Sequence, residues 1–291
     1  MGFTARTTFK AIPGVALTVS HSAAESGAQL TVLGKPGVMA PRWEKELHKA
    51  VLAGRFEELA AFGSVYPEVA SLVTSLDALV AIMTGDPTRA TPLLWRAWGS
   101  GEQIEREPFV RKYLQSSTIT IAVAAGVSAS LPLSRDAEGL ALAELERAED
   151  DLDEAIRVAE GLDPSAIAAV ALTDLYLAAG RWRDVVDTTD ALTNVDDPTA
   201  LLMTMRGAAL RELGLVSPAR QALKEALKSR SRDAIIQQRA MVERAKCSID
   251  EGKSSMARRD LLRVLTHDPT HPGIHELLDL THVISQIRSE P

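Results

Sequence analysis

The apolar positions of this chain are punctuated by a recurring turn signature: a Gly or an acidic residue, then a small or branched apolar residue five positions later. It falls at Gly54 and Leu59, Gly85 and Ala90, Asp150 and Ala155, Gly180 and Val185, Gly214 and Ala219, and Gly252 and Ala257. Successive turn positions lie 31, 65, 30, 34 and 38 residues apart, and 65 is close to two of the other steps. A period of roughly 34 residues predicts stacked helical hairpins. A helix that reverses within a few residues needs a left-handed residue at its end, which Gly supplies without steric penalty and Asp150 supplies less well. The residue five further on stands in the first turns of the return helix, where the two helices approach most closely. Asp86-Pro87, Asp163-Pro164, Asp197-Pro198 and Ser217-Pro218 read as helix starts, each an oxygen-bearing cap before a proline at the first helical position.

Two segments break the helical pattern and resemble each other. Thr8 to Ser20 and Thr118 to Leu133 each place a Gly-Val turn between short β-branched or alternating stretches, a hairpin signal. Gln29 to Leu33 is a third candidate strand. Because an isolated hairpin is marginal in water, the internal hairpin is expected to pair with the N-terminal one in a small sheet docked on the helices. The predicted fold is therefore mostly α, an α-solenoid with a small β element. It divides into an N-terminal β segment (1–40), a first helical block (41–99), a helix and hairpin insertion (100–135) and a C-terminal block with a capping helix (136–291).

The repeat residues resemble the tetratricopeptide-repeat family. From about Pro198 to Ser231, Gly207, Leu210, Gly214, Ala219, Leu223 and Ala226 match its spacing, and Ala245, Gly252, Ala257, Leu261 and Pro269 match in the next unit. Tyr176, Gly180 and Leu192 fit in the unit before, with Val185 in place of the usual small residue, and Trp43 stands where the family often has a tryptophan. The resemblance implies a non-catalytic scaffold that binds a peptide or protein in a concave groove. Its ligand-facing positions, about ten and six residues before each turn glycine, fall on Val170 and Asp174, Thr204 and Ala208, Val242 and Lys246, with Arg211 and Arg239 in reach. A groove acidic at Asp174 and basic at Lys246 suits a segment of mixed charge. The opening residues Met1-Gly2-Phe3, Arg6, Phe9-Lys10 and Pro13-Gly14-Val15 resemble a short bacterial domain of unknown function, covering about the first 35 residues.

Composition narrows this picture. Apolar residues make up 46% of the 291 and aromatics only 4%, so the core must be rich in Ala and Leu, which suits close helix packing better than a sandwich. The single Cys247, beside Ala245 and Ile249, reads as a small packed residue in a reducing compartment rather than a nucleophile. The longest apolar run, Ile119 to Val127, is about half of what a spanning helix needs, and Met1 to Lys10 lacks an apolar export core, so a cytoplasmic protein is expected.

Charge is uneven: residues 136–200 hold 4 basic and 17 acidic side chains, whereas 201–265 hold 14 and 7. Solvated helix faces explain this most simply, and self-association through opposite-charge surfaces is the sharper reading. A nucleic-acid-linked regulator using the basic 201–265 face is the main alternative, although Arg220 to Arg263 holds no aromatic for base stacking and the chain carries −7 overall.

Enzyme signatures fail on their own geometry. Gly252-Lys253-Ser254 resembles the end of a phosphate loop, but Cys247 occupies its first glycine position and a helix precedes it. In His275-Glu276-Leu277-Leu278-Asp279 the second His of a zinc-protease pattern is an Asp. His275, Asp279 and His282 share a helix face instead, opposite an expected buried side of Leu277, Leu280, Ile284 and Ile287, as in a capping helix. The run Glu149-Asp150-Asp151-Asp153-Glu154 straddles a turn and complements the start of the next helix. No catalytic residue, metal or cofactor is expected, with an enzyme or metal-binding protein kept as the third alternative.

Overall fold

All six signature positions adopt the left-handed conformation in the structure, a computed structural model that describes residues 16–19 and 27–287. Their φ values are 67° for Gly54, Gly85 and Asp150, 68° for Gly180 and Gly252, and 75° for Gly214. Each turn is closed by the same two bonds. The left-handed residue's N–H reaches the carbonyl three residues back at 2.7–3.2 Å, and the next N–H reaches the carbonyl five residues before it at 2.7–3.0 Å. Two of the helix's orphan carbonyls are thereby satisfied. The residue five positions after each turn is buried at 0–1% exposure in all six cases: Leu59, Ala90, Ala155, Val185, Ala219 and Ala257.

Residues 27–171 and 172–287 belong to two compact units, and the change falls inside one helix. In the first unit the hairpins are α1 (Arg42–Leu52) with α2 (Leu59–Val65), α3 (Ala70–Met83) with α4 (Pro87–Ser100), and α6 (Arg135–Ala148) with α7 (Leu152–Glu160). A short helix, α5 (Pro108–Tyr113), and the hairpin of residues 118–132 fall in the 65-residue gap. The change of unit lies in α8 (Ala166–Ala178). The second unit continues with α9 (Trp182–Thr188), α10 (Asp197–Glu212) with α11 (Val216–Ala226), α12 (Ala234–Asp250) with α13 (Ser254–His267), and α14 (Ile274–Ile287).

The strands β1 (Ala16–Val19), β2 (Gly27–Gln29), β3 (Thr118–Ala124) and β4 (Val127–Pro132) form one sheet in the order β1-β4-β3-β2. The predicted internal hairpin is β3 and β4, antiparallel with Ile119 opposite Leu131 and Ile121 opposite Ala129, and it turns at Gly126 with φ 63°. The four side chains of these two pairs are buried on one face, while Thr120 and Ser130 meet on the other at 2.8 Å. The N-terminal strands flank this hairpin rather than pairing with each other, and the first arm of the hairpin expected over Thr8 to Ser20 lies outside the described residues. The strand expected at Gln29 to Leu33 sits earlier. Beyond Gln29 the chain is held by a side chain and a helix end, with the Thr31 N–H on Ser117 Oγ at 2.9 Å and the Leu33 N–H on the Tyr113 carbonyl at 2.8 Å.

Small residues set the helix spacing. A Cβ on Gly207 of α10 would lie 2.5 Å from Leu223 Cγ of α11, and one on Gly139 of α6 would lie 2.6 Å from the Trp98 ring of α4. Polar bonds hold α4 to both of its neighbours: Arg89 of α4 pairs with the buried Asp77 of α3, and Trp95 Nε1 donates to Glu146 Oε1 of α6 at 2.6 Å.

Three of the four expected helix starts are displaced. Asp86 caps α4 as predicted, accepting from the Arg89 N–H at 3.1 Å. For α10 the cap is Asp196, whose carboxylate accepts from the Thr199 N–H at 2.9 Å while the Thr199 hydroxyl accepts from the Asp196 N–H at 3.0 Å. This reciprocal box satisfies two donors, which Asp197 could not do from inside the helix. Ser165 replaces Asp163 before α8, accepting from the Ala168 N–H at 3.1 Å. No side chain caps α11, because the Gly214 turn runs directly into Val216 and leaves only Leu215 between. On α14, Ile274 and Thr281 are buried and Leu277 and Leu278 half-buried, whereas Leu280, expected inside, is 44% exposed. The packed stripe follows positions 274, 277, 278 and 281, and Leu280 falls off it.

One buried group runs against the apolar pattern. Glu138 of α6 is 3% exposed, and its Oε1 has no hydrogen-bond partner. Burial pushes its carboxyl up to about 7, with Glu105 adding to the rise and Ser75 and Arg135 opposing it. A carboxyl raised from near 4.5 on folding gives stability that is full below pH 4.5 and is lost as pH rises through about 7. Glu138→Gln is therefore expected to raise stability at pH 8 by roughly 1–3 kcal/mol and to change it little at pH 4, read from urea midpoints at the two pH values. The turns give a second prediction. Gly214→Ala should cost about 1 kcal/mol and Asp150→Gly should gain about 0.5 kcal/mol, both with an unchanged denaturant slope.

Candidate functional site

In the unit of residues 172–287, the first helix of each hairpin and the final helix line one cavity of about 530 Å³. Asp174 and Leu177 come from α8, and Leu201, Thr204, Met205 and Ala208 from α10. Arg239, Val242, Glu243 and Lys246 come from α12, and Glu276 and Leu277 from α14, with His271 to Gly273 closing one end. Side chains three and four apart on a helix share a face, which is why 201, 204, 205 and 208, and 239, 242, 243 and 246, line up along two walls.

Of the groove positions read from the sequence, Asp174, Thr204, Ala208, Arg239, Val242 and Lys246 meet in this cavity. Val170 does not: it is 0% exposed, in a stretch of α8 where Ile167 to Leu172 are all buried, so it packs and lines no wall. Arg211 does not line it either. Its guanidinium is held among carboxylates, bonded to Glu212 and to Asp250 at 3.4 Å, with Glu243 Oε2 3.7 Å from Nε. These carboxylates keep its pKa above the ordinary value although burial pulls it down. The sequence register missed Leu177, Leu201 and Met205, neighbours of the assigned positions on the same faces, and the whole contribution of α14. A register of two positions per repeat covers neither.

The electrostatics of the cavity differ from the expected Asp174-to-Lys246 polarity. Lys246 Nζ donates to Glu243 Oε1 at 2.6 Å, one turn back on its own helix, which largely neutralises it. Arg239 makes no ion pair in contact among the described residues. Burial draws its guanidinium down from the ordinary value while Asp174, at longer range, holds it up. The cavity thus presents Arg239 as its cation, near Asp174, on walls built largely of Leu, Met, Val and Ala side chains. Such a surface has the shape and chemistry to accept an apolar side chain.

The other candidate chemistries lie elsewhere. His275, Asp279 and His282 are exposed on α14, and no group of three His, Cys, Asp or Glu side chains fit to hold a metal occurs among the described residues. Gly252 closes the α12–α13 turn, and Lys253 Nζ pairs with Glu251 Oε2 at 3.0 Å. In the acidic run Asp150 is the left-handed turn residue, Asp151 caps α7 by accepting from the Glu154 N–H at 3.1 Å, and Glu154 pairs with Arg157. No helix among the described residues is long and apolar enough to cross a membrane. Cys247 is 0% exposed, and burial pushes its thiol up to about 11. It is expected to react with a disulfide reagent in the native protein only as fast as the protein opens, and at the free-thiol rate in denaturant.

A family model described as "T7SS, ESX-1 secretion system protein EccA1, N-terminal domain" matches residues 77–282. The crystal structure of the N-terminal domain of the EccA1 ATPase from the ESX-1 secretion system of Mycobacterium tuberculosis is similar in fold, with a TM-score of 0.53 and 19% sequence identity over 84% of this chain and 90% of that one. No curated protein matches. The resemblance expected over about the first 35 residues falls before the matched span, which begins at residue 77.

Proposed function

This chain belongs to the EccA1 N-terminal-domain family, and from that premise we propose that it is a non-catalytic interaction module that holds a peptide or protein partner in the cavity between α8, α10, α12 and α14. The observation that carries this reading is the cavity itself. Its two long walls include the positions that the tetratricopeptide-repeat register assigns to ligand, Thr204 and Ala208 on one and Val242 and Lys246 on the other, and its volume of about 530 Å³ takes one or two large apolar side chains. Binding energy comes from burying apolar partner surface on Leu177, Met205, Val242 and Leu277, at about 25 cal/mol per Å². Orientation comes from Arg239, whose guanidinium favours a partner with a carboxylate beside its apolar anchor.

The solved relative is named as part of a secretion system. We extend that setting to this chain and place it at a cytoplasmic face, with a protein of the same secretion pathway as partner. A lone buried thiol suits that reducing compartment. The test is affinity capture from the native host with the wild-type chain and with Ala208→Arg plus Arg239→Glu, which block the cavity and reverse its cation. Loss of the captured partner, with an unchanged thermal melt, is the expected result. Capture of the same partner by both proteins would assign binding to another surface.

A further inference from the structure

The cavity lies on one side of α12. On the other side α11 and α13 form the walls of a second cleft of about 500 Å³, with Arg244 and Ser248 of α12 between them. Residues two apart on a helix point roughly 200° apart, so Val242 and Arg244, like Lys246 and Ser248, serve opposite faces of α12. Cations dominate this second cleft: Arg220 and Lys224 on α11, and Arg259 and Arg263 on α13, each pair one helical turn apart.

Part of this charge is used internally. Arg244 makes two 2.8 Å bonds to the Asp260 carboxylate, and Arg220 Nη1 donates to Glu251 Oε2 at 2.8 Å. Lys224, Arg259 and Arg263 are exposed and make no ion pair among the described residues. Like charges gathered in one concave surface raise its potential and draw in anions.

We propose that this cleft is a second docking surface, independent of the cavity, and that it takes an acidic helical segment of a protein partner. The match is one of spacing as well as sign. Carboxylates at i and i+4 on a helix are about 6 Å apart, the same step that separates Arg220 from Lys224 and Arg259 from Arg263. Nucleic acid fits less well, because Arg220 to Arg263 offers no aromatic for base stacking and Asp260 would face the phosphates.

The test uses fluorescence anisotropy with an Ala-rich helical peptide bearing Glu at i, i+4 and i+7, against the same peptide with Gln, at physiological salt. The Glu peptide should bind at least about tenfold more tightly than the Gln peptide, and Arg259→Glu with Arg263→Glu, or Lys224→Glu alone, should weaken it by a similar factor without changing the melt. Ala208→Arg should leave it unchanged, which separates this surface from the cavity. Equal affinity for the Glu and Gln peptides would overturn the proposal, as would tighter binding of random duplex DNA with the same sensitivity to the variants. A salt-sensitive dimer in sedimentation that the double variant dissociates would also overturn it, by making a second copy the occupant.

Discussion

A left-handed residue at the end of a helix is the constraint on which the rest of this structure depends. With φ near 67–75°, the chain at Gly54, Gly85, Asp150, Gly180, Gly214 and Gly252 reverses in one step, and two backbone bonds lock the reversal. Once the turn is fixed, the return helix has no freedom in where its first turns touch the outgoing one. That contact falls five residues on, which is why Leu59, Ala90, Ala155, Val185, Ala219 and Ala257 are all buried. The close approach then removes side chains from the partner helix, as at Gly207, where Leu223 of α11 occupies the space of a Cβ. The turn therefore sets the spacing of the helices, and the spacing sets the walls of the cavity.

This explains which parts of the molecule could be read from the sequence. The turns, their period and the interrupting hairpin β3–β4 were legible because each rests on a local requirement, positive φ or strand alternation, that a few residue types meet. The cavity walls were legible at Asp174, Thr204, Arg239, Val242 and Lys246 because repeat register converts distance from the turn into a facing direction. Val170 was misplaced because α8 is apolar all round and register alone does not tell a ligand-facing position from a buried one. Caps were read one or two residues away from where they act, since Asp196 and Ser165 compete with Asp197 and Asp163 and only the reciprocal bond with Thr199, or the reach to Ala168, decides between them. The edge strand β2 has little local pattern, and its register follows from pairing with Thr118 to Thr120, about ninety residues away.

Formal charge proved a poor guide to available charge. Residues 201–265 carry twice as many cations as carboxylates, but Arg211 is surrounded by Glu212, Glu243 and Asp250, Lys246 is taken by Glu243, and Arg244 by Asp260. Most of these pairs are half-exposed and add little to stability. Their effect is to remove charge from the places where repeat register would assign it. Among the described residues, the cations without a carboxylate partner include Arg239 inside the cavity, and Lys224, Arg259 and Arg263 in the second cleft.

The division follows from the geometry of α12. As the first helix of its hairpin it presents one face toward α10 and α14, and as a member of the layer it presents the opposite face between α11 and α13. The first face combines apolar side chains with Arg239, which makes no ion pair among the described residues, so a partner held there, as proposed, would depend mainly on contact area. The second is lined mainly by cations, so a partner docked there, as proposed, would depend on charge and salt. One helix thereby separates two chemically different surfaces by half a turn, so the two proposed partners would not compete for the same face.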